Sequence, residues 1–208
     1  MLSVPDLRSL IRTVPDFPRP GVRFRDITTL LGDAAGFRAV VERLARAFDG
    51  RRIDKVAGIE SRGFIVGAAV ASELRVGFVP IRKAGKLPAE NFGQDYELEY
   101  GADRLEMHRD AIASGERVLL VDDLIATGGI AEAALKLVAT GGGEVVGCAF
   151  VIDLPELGGR ARLERVRPGR ELVQPVAPRR RRRHLQPGPP EREARPVHRR
   201  PVGLGHHP

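Results

Sequence analysis

The stretch VLLVDDLIATGGIAEAALKLVATGGGEVVGCAFVID, residues 118–153, reads as strand, turn, helix, turn and strand. Leu119, Leu120 and Val121 form a continuous apolar run of the kind found in a strand buried on both faces. In 130–140 the residues Ala131, Ala134, Leu135 and Val138 share one helical face, and the triple glycine at 141–143 stops the helix before a second apolar strand over 144–153. A strand, helix, strand unit of this length is a right-handed crossover between parallel neighbours. The first strand ends in two adjacent carboxylates, Asp122 and Asp123, which repel each other. A cationic or hydroxyl-rich group is needed beside them.

Working outward, the segments before this unit repeat its logic. KVAGI (55–59) predicts a strand, GFIVGAAVASEL (63–74) a helix and VGFVPI (76–81) a strand, a second such unit. In 36–50, Phe37, Val40, Val41, Leu44, Ala45 and Phe48 recur at helical spacing, with Gly50 as a stop. SVPDLRSLIRTV (3–14) predicts a short N-terminal helix with Ser3 as its cap, running into the proline-rich turn PDFPRPG. Residues 84–101 are polar and hold no consistent period, so they read as a long loop or irregular hairpin; loops of this length within a domain tend to be functional, often as lids. The fold class expected is α/β, an open, mostly parallel sheet with helices on both faces.

The 208 residues suffice for one α/β domain plus an appendage, and the charge divides accordingly. From Arg165 onward there are 12 Arg, no Lys and 3 Glu, a net of +9; the chain total is +7, so residues 1–164 carry −2. A basic nucleic-acid-binding surface on the folded body is therefore not indicated. The last 44 residues hold 9 Pro and no Ile, Phe, Met, Trp or Tyr, too little apolar surface to offset chain entropy, so disorder is expected from 165 to 208. A solvated tail, a basic arm touching nucleic acid non-specifically, and an altered reading frame all suit that composition. The single Cys148, set in VVGCAFVI, suits an inert core thiol in a reducing compartment, which makes the cytoplasm the default. No apolar run approaches a membrane span, and the N-terminus lacks a hydrophobic signal region, so neither membrane insertion nor secretion is expected.

In an open parallel sheet, ligands bind beyond the C-terminal strand ends. The small residues of ATGG (126–129) let successive backbone N–H groups turn on an anion, and the helix N-terminus adds partial positive charge. A phosphate suits that turn. Asp122 and Asp123, a few residues earlier, would accept hydrogen bonds from vicinal hydroxyls or hold Mg²⁺ directly or through water. A ribose 5-phosphate meets both demands.

The string VLLVDDLIATGGI (118–130) resembles the phosphoribosyl-diphosphate (PRPP) signature of type I phosphoribosyltransferases. PDFPRPGVRFRDIT (15–28), AGIESRGFIVG (57–67), IRKAGKLP (81–88) and YELEYG (96–101), in family order, narrow the likeness to the adenine-specific branch over residues 1 to about 164. The resemblance implies a small N-terminal hood with a base-binding segment (1–33), a flexible active-site loop (84–101), Mg²⁺ carried by PRPP, a homodimer, and purine salvage as the role. It implies that Asp122 and Asp123 meet the ribose hydroxyls and that Ala126, Thr127, Gly128, Gly129 and Ile130 wrap the 5′-phosphate. Glu60 and Ser61 are expected to be joined by a cis peptide that turns N–H groups toward the diphosphate, with Arg62 and Lys83 contacting the leaving group and Lys86, in the same basic cluster, binding PRPP. Glu99 would assist proton handling on the purine, Tyr100 would cover the site, and Arg23, Phe24 and Arg25 would bind adenine. Two alternatives stay open at this point: transfer to another purine, and a PRPP-binding regulator that contacts nucleic acid through the tail. After GGRARL (158–163) the chain departs from the family pattern into an arginine-rich sequence.

Overall fold

The computed structural model of the chain describes residues 6–97, 101–166 and 171–173. A short antiparallel ribbon comes first, β1 (Arg12–Pro15) against β2 (Arg23–Asp26). Then follow α1 (Thr28–Leu31), α2 (Ala34–Arg46), β3 (Lys55–Ile59), α3 (Arg62–Leu74), β4 (Gly77–Lys83), β5 (Asn91–Glu97), β6 (Ala102–His108), β7 (Arg117–Ile125), α4 (Gly129–Thr140), β8 (Glu144–Asp153), a 3₁₀ turn (Pro155–Leu157), α5 (Gly159–Val166) and β9 (Glu171–Val173). Seven strands form one sheet in the order β5-β6-β4-β3-β7-β8-β9. Its β4, β3, β7, β8 and β9 run parallel, while β6 lies antiparallel to both β4 and β5. The expected α/β architecture, mostly parallel with helices on both faces, is the one observed.

Period-two alternation along a fully buried strand explains the two faces. In β7, Val118 and Leu120 join the core shared with Ile59, Ile81, Leu105, Met107 and the α4 residues Ala134, Leu135 and Val138. Leu119 and Val121 join the opposite core, with Val40, Leu44 and Phe48 beside α2 and Val66 and Val70 of α3. Helix α2 is capped by the Asp33 side chain, which accepts from the Gly36 N–H at 2.7 Å. The strands anticipated at 55–59 and 144–153 have those bounds, and α3 and α4 each begin one residue earlier than anticipated.

One expectation needs correction. Among the described residues the N-terminal helix is absent: residues 7–10 form turns held by Asp6, whose carboxylate accepts from the Arg8 N–H at 3.1 Å and whose carbonyl accepts from the Ser9 hydroxyl at 2.8 Å. Beyond them the β-branched Thr13 and Val14 pair with Arg25 and Phe24. Ser3 lies outside the described residues. Of the two forms anticipated for 84–101, a long loop or an irregular hairpin, the described residues form the hairpin: β5 and β6 pair over seven residues each, from Asn91 with His108 to Glu97 with Ala102. Its polar sequence conceals Tyr96, Leu105 and Met107, which are buried in the sheet's core. Near the anticipated boundary at 164, α5 runs to Val166, and β9 places Leu172 and Val173 beside Cys148 and Ala149 of β8. The expectation about residues 174–208 lies outside the described residues.

Candidate active site

At the C-terminal ends of β3, β4 and β7, three loops enclose a cleft of about 540 Å³ lined by Glu60, Ser61, Arg62, Lys83, Lys86 and the run Asp122–Ala131. The strand ends deliver the side chains, and the turns into α3 and α4 deliver the backbone. Ser61, Arg62, Lys83, Lys86, Asp122, Asp123, Ala126, Thr127, Gly128, Gly129 and Ile130 are thus brought together from three separate stretches of sequence. Glu99 and Tyr100 lie outside the described residues.

Asp122 and Asp123 lie within the C-terminal part of β7, which runs on to Ile125 rather than stopping before the acids, and their environments differ. Asp123 is buried and accepts a hydrogen bond from Nε of Arg62 across the β3–α3 turn. Asp122 sits against the start of α3, close enough that a Cβ on Gly63 would lie 2.7 Å from its Oδ1. Burial first, and the neighbouring Asp123 charge second, push the Asp122 carboxyl well above the usual carboxylate range, although the Asp123 N–H donates to it at 2.8 Å. Half-buried and facing the cleft, the Asp122 carboxylate can accept from hydroxyls or meet a cation.

The turn Ala126–Gly128 leads into α4, where Gly128 adopts φ +82° as the N-cap. That left-handed conformation is open to glycine at no steric cost. First-turn N–H groups of a helix have no intrahelical acceptor, so Gly129 and Ile130 contribute donors to the cleft wall.

The opposite wall is the β3–α3 turn. The Glu60–Ser61 peptide is cis, as anticipated. Glu60 itself was quoted in the motif without a side-chain role, yet it organises this wall. Its Oε1 pairs with Lys86, and its Oε2 accepts from the Lys83 N–H at 3.0 Å and from Arg82 Nε at 3.4 Å. Burial alone would raise its pKa, but the Lys86 hydrogen bond, the Lys83 N–H and the cations Lys86 and Arg82 hold it below the ordinary value. The Lys83 ammonium pairs with Asp103 of β6 at 3.3 Å, and Asp103 also accepts from the Tyr96 hydroxyl at 2.9 Å. That pairing ties β4 to the hairpin through Asp103, which the sequence pattern did not single out.

The hood meets the cleft at one point. Phe24 stands edge-on to Phe17 at 5.2 Å between centroids, and the Arg62 guanidinium carbon lies 5.3 Å from the centroid of the Phe24 ring. Arg62 therefore bridges the aromatic patch and Asp123. Arg25 instead donates to the Thr13 hydroxyl, and Arg23 is exposed; neither lines the cleft.

Among the described residues no group of three or more His, Cys, Asp or Glu could cage a metal ion. Two adjacent carboxylates facing a phosphate-sized turn fit Mg²⁺ that arrives with most of its oxygens supplied by a ligand.

This geometry agrees with the comparisons. The profile described as "Phosphoribosyl transferase domain" matches residues 29–166. The adenine phosphoribosyltransferase of Nitrosospira multiformis is 65% identical over 158 residues, spanning 76% of this chain and 90% of that protein. The chain belongs to the adenine phosphoribosyltransferase family. Among solved members of that family, the Rhodothermus marinus enzyme is 53% identical, with a TM-score of 0.76 over 81% of this chain and 94% of its own. The Saccharomyces cerevisiae enzyme, solved with an imino-altritol bisphosphate and adenine, is 39% identical, with a TM-score of 0.75 over 81% and 95%. No helix among the described residues is long and apolar enough to cross a membrane.

Proposed function

We infer that the chain transfers the 5-phosphoribosyl group from PRPP to adenine, giving AMP and pyrophosphate, the reaction of purine salvage. The observation that carries this reading is one cleft that joins a paired-carboxylate strand end, a glycine turn opening a helix, and an arginine-bearing turn beneath an aromatic patch. Each matches one part of the two substrates.

The 5′-phosphate is assigned to the turn 126–130, and the ribose hydroxyls to Asp122 and Asp123. The diphosphate is assigned to the Ser61 turn, Arg62, Lys83 and Lys86. Adenine is assigned to the face of Phe24, with Arg23 and Arg25 contributing backbone from β2. Asp123 can offer both carboxylate oxygens fully to ribose as Arg62 releases it, and the incoming diphosphate supplies the guanidinium with a replacement anion. The exchange couples sugar binding to leaving-group binding. As the bond between ribose C1 and the diphosphate oxygen loosens, negative charge grows on the leaving group, where Arg62, the lysines and backbone donors stabilise it. N9 of adenine attacks the opposite face of C1. Bound with PRPP and held at Asp122 or Asp123, Mg²⁺ would neutralise diphosphate charge. Glu99 is assigned the purine proton, and Tyr100 with the 84–101 segment is assigned to covering the site, which would exclude water able to hydrolyse PRPP. The family resemblance implies a Mg²⁺-dependent homodimer, and the buried thiol of Cys148 supports a reducing, cytoplasmic setting.

The test is AMP formation from adenine and PRPP with Mg²⁺, with hypoxanthine and guanine as competitors in the same assay. AMP formed in preference to the other nucleotides is expected. Preferential conversion of another purine, or no PRPP-dependent product, would overturn the assignment.

A further inference from the structure

The phosphate turn has a second face. Beyond β8 the chain folds back through the 3₁₀ turn, so that α5 lies against 126–129 without lining the cleft. Contact there is backbone to backbone. The Gly159 N–H donates to the Ala126 carbonyl at 2.9 Å, and a Cβ on Gly159 would stand 2.3 Å from that same oxygen. A Cβ on Gly128 would meet the Gly159 carbonyl oxygen at 3.0 Å and Arg162 Cδ at 3.4 Å. Arg162 continues past Gly129 and pairs at 2.5 Å with Glu132, in the first turn of α4; Glu132 also pairs with Lys136 at 2.8 Å. At its other side α5 is fastened by Arg160, which donates to Asp153 of β8 at 3.1 Å and reaches the Leu172 carbonyl of β9 at 3.4 Å. One short helix therefore grips the turn, the helix the turn opens, and the sheet edge.

The geometry points to α5 as the backing of the phosphate turn, with Arg162 as a positioning residue. Through Glu132 it fixes the first-turn N–H groups of α4 relative to Ala126–Gly128, and so it sets affinity for a 5′-phosphate without touching the ligand. The inference rests on the assignment of the phosphate to residues 126–130. It predicts selectivity, because the diphosphate wall of Glu60, Ser61 and Arg62 receives nothing from α5.

The experiment compares the full chain with Arg162→Met, Arg162→Lys and Glu132→Gln in calorimetric titrations with AMP, ribose 5-phosphate and pyrophosphate, alongside steady-state kinetics. For Arg162→Met, AMP and ribose 5-phosphate should bind about tenfold more weakly, and the KM for PRPP should rise by a similar factor. Turnover should stay within about twofold and pyrophosphate affinity should not change. Arg162→Lys should recover part of the loss, and the Arg162→Met/Glu132→Gln double variant should be no worse than either single, as residues acting through one contact require. Should Arg162→Met not fold, Glu132→Gln supports the same comparison with volume conserved. Unchanged AMP affinity in the variants, or a parallel loss of pyrophosphate binding, overturns the role of α5. If the unaltered chain binds neither AMP nor ribose 5-phosphate, it is the phosphate assignment that fails.

Discussion

Placing a methyl group on Gly63 tests whether the start of α3 and the end of β7 are in the close contact on which the Asp122 environment depends. A Cβ there would lie 2.7 Å from Asp122 Oδ1, 3.0 Å from the Val121 carbonyl oxygen and 3.2 Å from Asp122 Cα, all inside the roughly 3.5 Å of an ordinary contact. The carboxylate could rotate away, but the two backbone atoms could not, so the strand end or the helix start must shift. Overpacking of this kind costs about 1–3 kcal/mol, whereas replacing glycine in a helix ordinarily gains about 1 kcal/mol. The net expectation is a loss of up to about 2 kcal/mol, which lowers the melting temperature by up to about 8 °C in a chain of this size. The same shift displaces the carboxylate assigned above to ribose, so on that proposal the KM for PRPP should rise by about tenfold, equivalent to about 1.4 kcal/mol. Gly77→Ala is the control: its Cβ would meet only Lys55 side-chain carbons, at 3.8 and 4.0 Å, and both readouts should stay near the unaltered chain. Gly63→Ala melting at or above the unaltered chain, with unchanged KM, would refute the reasoning.

Other expectations concern the cleft's acids and its aromatic patch. Asp122→Asn should stabilise the chain at neutral pH while weakening PRPP binding, because burial raises the folded-state pKa of Asp122 above its ordinary 3.8. The stability this group contributes is complete below that value and lost as pH rises through the raised one, so the melting difference between the two proteins should open upward from pH 3.8 and vanish below it. A variant less stable than the unaltered chain at pH 7 would contradict this. Phe24→Ala should raise the KM for adenine by about 10- to 100-fold, since stacking a base on an aromatic ring is worth about 1–3 kcal/mol; an unchanged adenine KM would remove Phe24 from the base site. Glu99→Gln should lower turnover sharply with PRPP affinity largely kept, measured by single-turnover kinetics and calorimetry, and full turnover would exclude Glu99 from proton handling.

How much could be read beforehand follows from which interactions are local. The β7–α4–β8 unit was legible because strand and helix each announce their own period, and because the adjacent acids at 122–123 and the glycines at 128–129 bring their chemistry within eight residues. The hairpin was legible only as an alternative to a loop, since buried Tyr96, Leu105 and Met107 alternate with charged residues and leave no continuous apolar run. The N-terminal turn was misread as a helix because its apolar spacing suits either form, and the pairing of Thr13 with Arg25 that decides the matter is a tertiary fact. Glu60 and Arg162 eluded assignment for a similar reason. A lone acid or a lone arginine has no pattern, and their partners, Lys86 and Glu132, stand 26 and 30 positions away in the chain.

The cleft's cations are already engaged before any ligand arrives: Arg62 with Asp123, Lys83 with Asp103, and Arg82 and Lys86 with Glu60. Entry of an anion is thus a barter of partners rather than a capture by bare positive charge. A small ion such as sulfate offers one new partner and leaves a stranded carboxylate behind, whereas a sugar that bears hydroxyls beside its diphosphate compensates both halves of the broken pair. On the proposed assignment of the cleft, the protein's own internal acids therefore favour a hydroxyl-bearing diphosphate over a simple anion.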